Sequence, residues 1–361
     1  MTMSSETDKS REEVEGGETA QERGRGRATR TIIYAVGGGF VIFIAGLFAY
    51  KTITPDPKET ADLTQSAVVQ PAVFVPPSES AIPQDQSGDA IRRGLQIFTN
   101  TQTNAREFVG NGLNCSNCHL DRGRKPDSAP MWSAWVDYPK YRSKNHKVNT
   151  MEDRINGCFS YSMNGQDSPS GGPPPAGHDV YKDLQAYFHW VATNAPTGAK
   201  MKGGGFLKLK KTSLGYDPGR GEQVFSRNCA SCHGTGGQGQ KDLNGRYIFP
   251  PLWGTNSYNW GAGMAQVSSA AGFIKANMPL SQPGRLSDQQ AWDAAAFVDS
   301  HERPKDPRQT GTIAEAAKKF HSGEETFYGK VLNGRVLGQG AAPASSAGPS
   351  SKAGQQANRS R

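Results

Sequence analysis

Two short strings carry the most specific chemistry in this chain: CSNCH (Cys115, Cys118, His119) and CASCH (Cys229, Cys232, His233). Two thiols three positions apart, followed at once by an imidazole, form the attachment signature of c-type haem. The thiols add to the two vinyl groups of one porphyrin, and the histidine then faces the iron as its proximal ligand. A lone copy would also suit zinc or a thiol redox pair. Two copies in matching context favour haem, and zinc would want paired ligands at short spacing. The expected cofactors are two covalently attached haem c groups.

A haem iron in an electron carrier usually has a second protein ligand, and its identity sets the potential. In the second unit Met278, in ANMPL, lies 49 positions after Cys229 and just before a helix candidate. It is the expected distal ligand, preferred over Met264 in GAGMAQ. The carbonyl of Pro250 or Pro251 is the expected acceptor for the His233 Nδ1–H. In the first unit the matching slot falls near Cys158, 43 positions after Cys115. Cys158 is the fifth of five cysteines and has no partner once the two haem frames are assigned. A thiolate there would bind iron and lower its potential. A buried free cysteine, or Met163 as the ligand with Cys158 beside it, are the other readings.

A thiolate at an iron suits an enzyme handling sulfur compounds better than a pure electron carrier. Basic residues surround it in sequence: Arg142, Lys144, His146 and Lys147 upstream, and Arg154 four positions before the cysteine. Ser162 and Asn164 follow. Arginine and lysine bind oxyanions through charge-assisted hydrogen bonds. Arg154 is the first candidate for a small oxyanion; a solvated basic loop is the alternative.

The elements that must position these groups form a degenerate repeat. Gly94 to Phe98 (GLQIF) matches Gly221 to Phe225 (GEQVF), and each copy precedes a CxxCH frame. A Pro-rich stretch follows each frame, and each unit closes on an amphipathic helix candidate. The first is DVYKDLQAYFHWVATN, with Val180, Leu184, Tyr187 and Val191 on one face; the second is SDQQAWDAAAFVDSH, with Ser287 as N-cap before Ala291, Ala295 and Val298. The expected domains are residues 87–195 and 217–306, joined by a Gly- and Lys-rich linker, 196–216. The first unit is longer: Cys115 follows Phe98 by 17 positions, Cys229 follows Phe225 by only 4.

Outside the repeat, residues 1–30 are polar and without apolar period, and read as disordered. Residues 31–50 carry no charge and are long enough to span a bilayer. Arg23, Arg25, Arg27 and Arg30 precede them, which orients the remainder outside the cytoplasm. A retained anchor, rather than a cleaved signal peptide, is the expectation, with the haem units in the periplasm of a bacterium. Residues 51–86 read as a Pro-rich tether. Residues 307–361 read as a mostly disordered tail, low in complexity from about Leu337. The net charge of +8 fits an anionic membrane face, an acidic partner or anionic substrates. No zinc finger or RNP sequence appears, which sets nucleic acid aside.

Several strings, taken together, resemble the tetrathionate-forming thiosulfate dehydrogenase family: VGNGLNCSNCHL, YPKYRSK, DRINGCF followed by SMNG, FPPLWGTNSYNWGAGM, FIKANMPL and the Arg303-Pro304 pair. The resemblance runs in order over about residues 88 to 306. It implies an all-α fold, two class I cytochrome c domains in tandem, here preceded by one transmembrane helix and the tether. It implies coupling of two thiosulfates into tetrathionate at a haem ligated by His119 and Cys158. Electrons would then leave through a second haem ligated by His233 and Met278, for an acceptor cytochrome or a membrane oxidase. Ser162 matches a family active-site serine, and Arg142, Lys144 and Arg154 stand for its active-site basic residues. Ser160 and Tyr161 stand where the family has a charged pair, and Asn277 where some relatives carry a lysine. The rival reading is a non-catalytic dihaem electron-transfer subunit of a membrane respiratory complex; a third is reduction of another sulfur anion such as tetrathionate.

Overall fold

The computed structural model describes residues 74–142, 145–323 and 325–341. The expected anchor at 31–50, the leading segment 1–30, most of the tether and the last twenty residues lie outside them. Among the described residues no helix is long and apolar enough to cross a membrane.

The first domain is framed by α1 (Gln86–Thr99), α2 (Met131–Asp137), the hairpin β1 (Lys140–Arg142) and β2 (Lys147–Asn149), α3 (Met151–Gly157) and α4 (Asp179–Val191). The second is framed by α5 (Pro218–Asn228), the hairpin β3 (Gln240–Lys241) and β4 (Tyr247–Phe249), α6 (Val267–Asn277) and α7 (Asp288–Asp299). Ser287 caps α7 in a reciprocal box with Gln290, and Asp85 and Asp217 cap α1 and α5.

Each domain is built on one helix crossing, and the same residue type makes it possible in both. Gly94 of α1 lies so close to α4 that a Cβ would stand 2.0 Å from the Asp183 carbonyl oxygen. Gly221 of α5 meets α7 in the same way, at 1.9 Å from the Asp293 carbonyl oxygen. One turn on, Phe98 and Phe225 are buried in the two crossings. Beside each glycine an arginine forks onto the aspartate of the partner helix. Arg93 donates to both Asp183 oxygens at 2.9 and 2.8 Å, and Arg220 to both Asp293 oxygens at 2.8 and 2.7 Å. The repeat legible as GLQIF and GEQVF is therefore a repeated packing unit. The apolar positions expected on the closing helices, Val180, Leu184, Tyr187 and Val191, and Ala291, Ala295 and Val298, are all buried.

Two stretches depart from the sequence reading. Residues 74–85, assigned to the tether, pack on the first domain. Phe74 lies against Trp132 with ring centroids 5.4 Å apart, Ile82 is buried, and Arg124 donates to the carbonyls of Pro77 (2.6 Å) and Pro76 (3.3 Å). Proline lacks a donor but keeps its acceptor, and Arg124 uses it. Residues 307–341 are not a disordered tail. They form α8 (Ile313–Phe320), capped by Thr312 and Glu315, and the hairpin β5 (Val331–Leu332) and β6 (Arg335–Val336). Asn333 and Gly334 turn that hairpin, both with positive φ, as a two-residue loop of this kind requires. Phe327, Tyr328 and Leu337 are buried beneath it. Asp306 anchors the segment, accepting from Arg308 at 2.9 and 2.6 Å and from His321 Nε2 at 2.8 Å.

The linker runs along both domains. Asp127 and Ala129 N–H donate to the carbonyls of Gly203 and Gly205, and Trp292 Nε1 donates to Lys210 O at 2.9 Å.

Two outcomes are expected. Gly221→Ala should cost about 2–3 kcal/mol by overpacking the crossing, read as a drop in denaturant midpoint with unchanged slope. Burial alone would raise the Asp306 carboxyl, but the bonds from His321 and Arg308 outweigh it, and the group sits well below the usual carboxylate range. A depressed carboxylate adds stability above its unfolded pKa of about 4 and loses it as pH falls toward the folded value. Segment 307–341 should then resist proteolysis at neutral pH and lose that resistance as pH falls below about 4, and Asp306→Asn should expose it already at neutral pH.

Candidate haem and substrate site

One cavity of about 250 Å³ gathers most of the residues singled out in the first domain. Cys115, Cys118 and His119 line it, as do Cys158, Met163, Arg154, Ser162 and Arg142. Phe98, Leu184 and Phe188 add apolar wall from the α1–α4 crossing.

Local structure aims the thiols and the imidazole. Cys115 opens a short 3₁₀ turn, held by Asn114 and Asn117 in a reciprocal box. Thr101 contacts the cysteine twice: its hydroxyl accepts from the Cys115 N–H at 3.1 Å and lies 3.4 Å from Sγ. His119 Nδ1 donates to the Ala129 carbonyl at 2.8 Å. A carbonyl only accepts, so the proton is on Nδ1 and the Nε2 lone pair is left for a metal. Burial pushes the Cys115 thiol up to about 12 and Cys118 up to about 11, and pushes His119 down to about 4. The pocket favours neutral groups, so the thiols would reach a porphyrin as thiols and the imidazole as a free base.

On the other side, α3 runs directly into a π-turn, Cys158–Ser162. Such wide turns are rare and gather at functional sites. Thr150 and Asp153 cap the start of α3 in a reciprocal box, which fixes where the turn begins. Arg154, one helical turn before Cys158, donates to its Sγ at 3.2 Å. The Cys158 sulfur pushes the guanidinium pKa above its ordinary value, against the opposing effect of burial. Arg154 is exposed to solvent where it lines the cavity. Two residues past the turn, Asn164 is buried and left-handed at φ 51°, a conformation asparagine tolerates better than most residues.

A histidine with a free Nε2, two thiols three residues apart and further sulfur in the lining of an apolar-walled cavity form a donor set that suits haem c. His119 and the two thiols would hold the group, and Cys158 or Met163 would supply the distal donor. Arg142 reaches the mouth from the exposed β1–β2 hairpin. Lys144 lies outside the described residues.

In the second domain His233 Nδ1 donates to the Pro250 carbonyl at 2.9 Å, the same arrangement as at His119. Burial lowers His233 and pushes the Cys229 thiol up to about 11. Met278 is half-buried at the end of α6, just before Pro279. The first-domain cavity reaches neither Met278 nor His233. Asn277 is fully buried and turned toward the first domain, donating to Asp127 O at 3.1 Å. Sequence reasoning missed Thr101, Ala129 and Asn111. The first two carry no motif, because one acts through a hydroxyl 14 residues away and the other through its carbonyl.

Residues 104–194 match the family described as SoxA/TsdA, cytochrome c domain, and residues 217–298 match cytochrome c oxidase, cbb3-type, subunit III. A thiosulfate dehydrogenase of Stutzerimonas stutzeri is 46% identical over 269 residues, covering 74% of this chain and 85% of that protein. The chain belongs to the thiosulfate dehydrogenase family. A second member, from Thiomonas intermedia, is 45% identical over 278 residues, 77% of this chain and 86% of its own length. Among solved structures, thiosulfate dehydrogenase (TsdBA) from Marichromatium purpuratum, in its as-isolated form, aligns with a TM-score of 0.72 at 48% identity. The alignment covers 74% of this chain and 58% of that one. The chain thus has the tandem of two cytochrome c domains, mostly helical, and a cytochrome c domain implies covalently bound haem c.

Proposed function

We propose that this protein oxidises thiosulfate to tetrathionate, with His119 and Cys158 as the residues that would hold the iron of one haem and His233 and Met278 those that would hold the iron of a second. Two thiosulfate dianions join through a new sulfur–sulfur bond and release two electrons. Each haem, when bound, supplies a one-electron acceptor. The observation that carries the reading is Cys158, with Arg154 bonded to its sulfur, lining the same cavity as Cys115, Cys118 and His119.

The chain's own residues would do the rest. Arg154 and Arg142 line the cavity and would hold the sulfonate ends of two dianions, which repel one another in water. Ser162, on the same wall, is positioned to donate a further hydrogen bond. Arg154 also stabilises negative charge on the Cys158 sulfur, whether that sulfur binds metal or substrate. Lys144 remains a candidate for a further positive charge toward the substrate. The periplasmic location, the anchor at 31–50 and a tether over 51–73 remain part of this proposal, with an acceptor cytochrome or membrane oxidase taking the electrons. A second reading, a non-catalytic electron-transfer subunit of a membrane respiratory complex, draws on the match of residues 217–298 to an oxidase subunit family.

Two measurements test the proposal. Purified protein should carry two covalent haems per chain by pyridine haemochrome, and the Cys229→Ser, Cys232→Ser double variant should carry one. Thiosulfate should reduce the haems of the wild type, and Cys158→Gly should slow that reduction by at least about a hundredfold while keeping electron exchange with a cytochrome partner. Wild type that exchanges electrons but is never reduced by thiosulfate would favour the second reading.

A further inference from the structure

The turn that carries Cys158 belongs to the first domain, but the second domain holds it. A π-turn leaves the carbonyls at its end without donors of their own. Four consecutive carbonyls here are met from outside the turn. Ser160 O accepts from Asn259 Nδ2 at 2.9 Å, and Tyr161 O from the Asn259 N–H at 3.1 Å. Ser162 O accepts from Asn111 Nδ2 at 2.7 Å, and Met163 O from the Gly110 N–H at 2.9 Å. Asn259 is fully buried, and its amide cannot be reversed: Oδ1 accepts from the Gly261 N–H at 3.0 Å, so Nδ2 faces the turn. Nδ2 also reaches Oδ1 of Asn164, two residues past the turn, at 3.2 Å. Asn111 ties the same assembly together from the first domain, donating to Ser257 O at 3.1 Å as well as to Ser162 O.

Tyr161, in the middle of the turn, is gripped on its ring. Gly261 lies so close that a Cβ would stand 2.4 Å from Tyr161 Cδ1. The Arg308 guanidinium sits 5.0 Å from the ring centroid, itself fixed by Asp306.

We propose that Asn259 of the second domain is a positioning residue for the Cys158 sulfur, holding the π-turn from behind so that docking of the second domain sets the distal ligand of the first. The proposal rests on Cys158 as that ligand. Asn259 touches no substrate and no metal; it acts through the backbone of residues 160 and 161. A turn relieved of these bonds has a nearby alternative in Met163, which is buried on the same cavity wall. Loss of the clamp would then appear as mixed ligation.

The test uses the full-length holoprotein. Oxidised wild type should give one electron paramagnetic resonance signal of a thiolate-ligated low-spin haem and one of a histidine–methionine haem. Asn259→Asp keeps the size of the side chain but removes the Nδ2–H donors. It should split or lose the thiolate signal, leave the other signal in place, and slow thiosulfate-driven reduction about tenfold or more. Should Asn259→Asp fail to fold, Gly261→Ala keeps both Asn259 bonds and presses on Tyr161, and should broaden or split the same signal. A wild-type thiolate signal that survives the folded substitutions unchanged overturns this inference alone, even if activity falls. Wild type without any thiolate signal overturns the ligand reading and this inference with it.

Discussion

Everything in the first domain is arranged around one juxtaposition: a sulfur on a π-turn and an imidazole on a haem-binding turn facing one small cavity. The imidazole side is rigid because each piece has a backbone anchor. His119 is fixed by the Ala129 carbonyl, and Cys115 by Thr101. The sulfur side depends on α3 starting at a fixed place and on the turn ending at a fixed place. Thr150 and Asp153 fix the start, and Asn164, two residues past the turn, lies in the left-handed region. Arg154 then falls one helical turn before the cysteine, where it can hold negative charge on the sulfur.

The two domains solve the same packing problem with the same parts. A glycine lets two helices approach until one backbone touches the other, and an arginine forks onto an aspartate beside it. Phe98 and Phe225 fill the space that close approach encloses. With that scaffold repeated, chemistry can differ between copies. The longer path from Phe98 to Cys115 and the α3 π-turn belong to the first domain only. In the second domain Arg303 is fully buried against Tyr258 and Trp260 and paired with Asp299 at 3.2 Å. Burial pushes the Asp299 carboxyl up, against the pull of Arg303, and a buried pair of this kind is weak evidence of stability.

Much of this was legible because it is local. The CxxCH frames, the Gly-to-Phe repeat and the amphipathic closing helices are short-range patterns, and Cys158 followed from counting positions. The Arg93 and Arg220 forks were equally visible as residues preceding the matched glycines, but their aspartate partners lie 90 and 73 residues on. The tail was misread because its end is low in complexity and colours the whole segment. Its signals were present: Thr312 three residues before Glu315 is a capping box, and Asn333-Gly334 between Val331-Leu332 and Arg335-Val336 is a hairpin turn. The clamp at Asn259 was beyond sequence reasoning. It joins a side chain amide to carbonyls nearly a hundred residues away, and no periodicity records such a bond.

Iron X-ray absorption of the oxidised protein tests the central claim most directly, because it counts sulfur donors without reference to activity. With Cys158 on one iron and Met278 on the other, wild type should show on average about one sulfur per iron, and Cys158→Gly about half that. A wild-type sulfur shell made up of thioether alone, with no thiolate, would mean that residue 158 never reaches the metal, and the catalytic assignment of the first domain would fall with it.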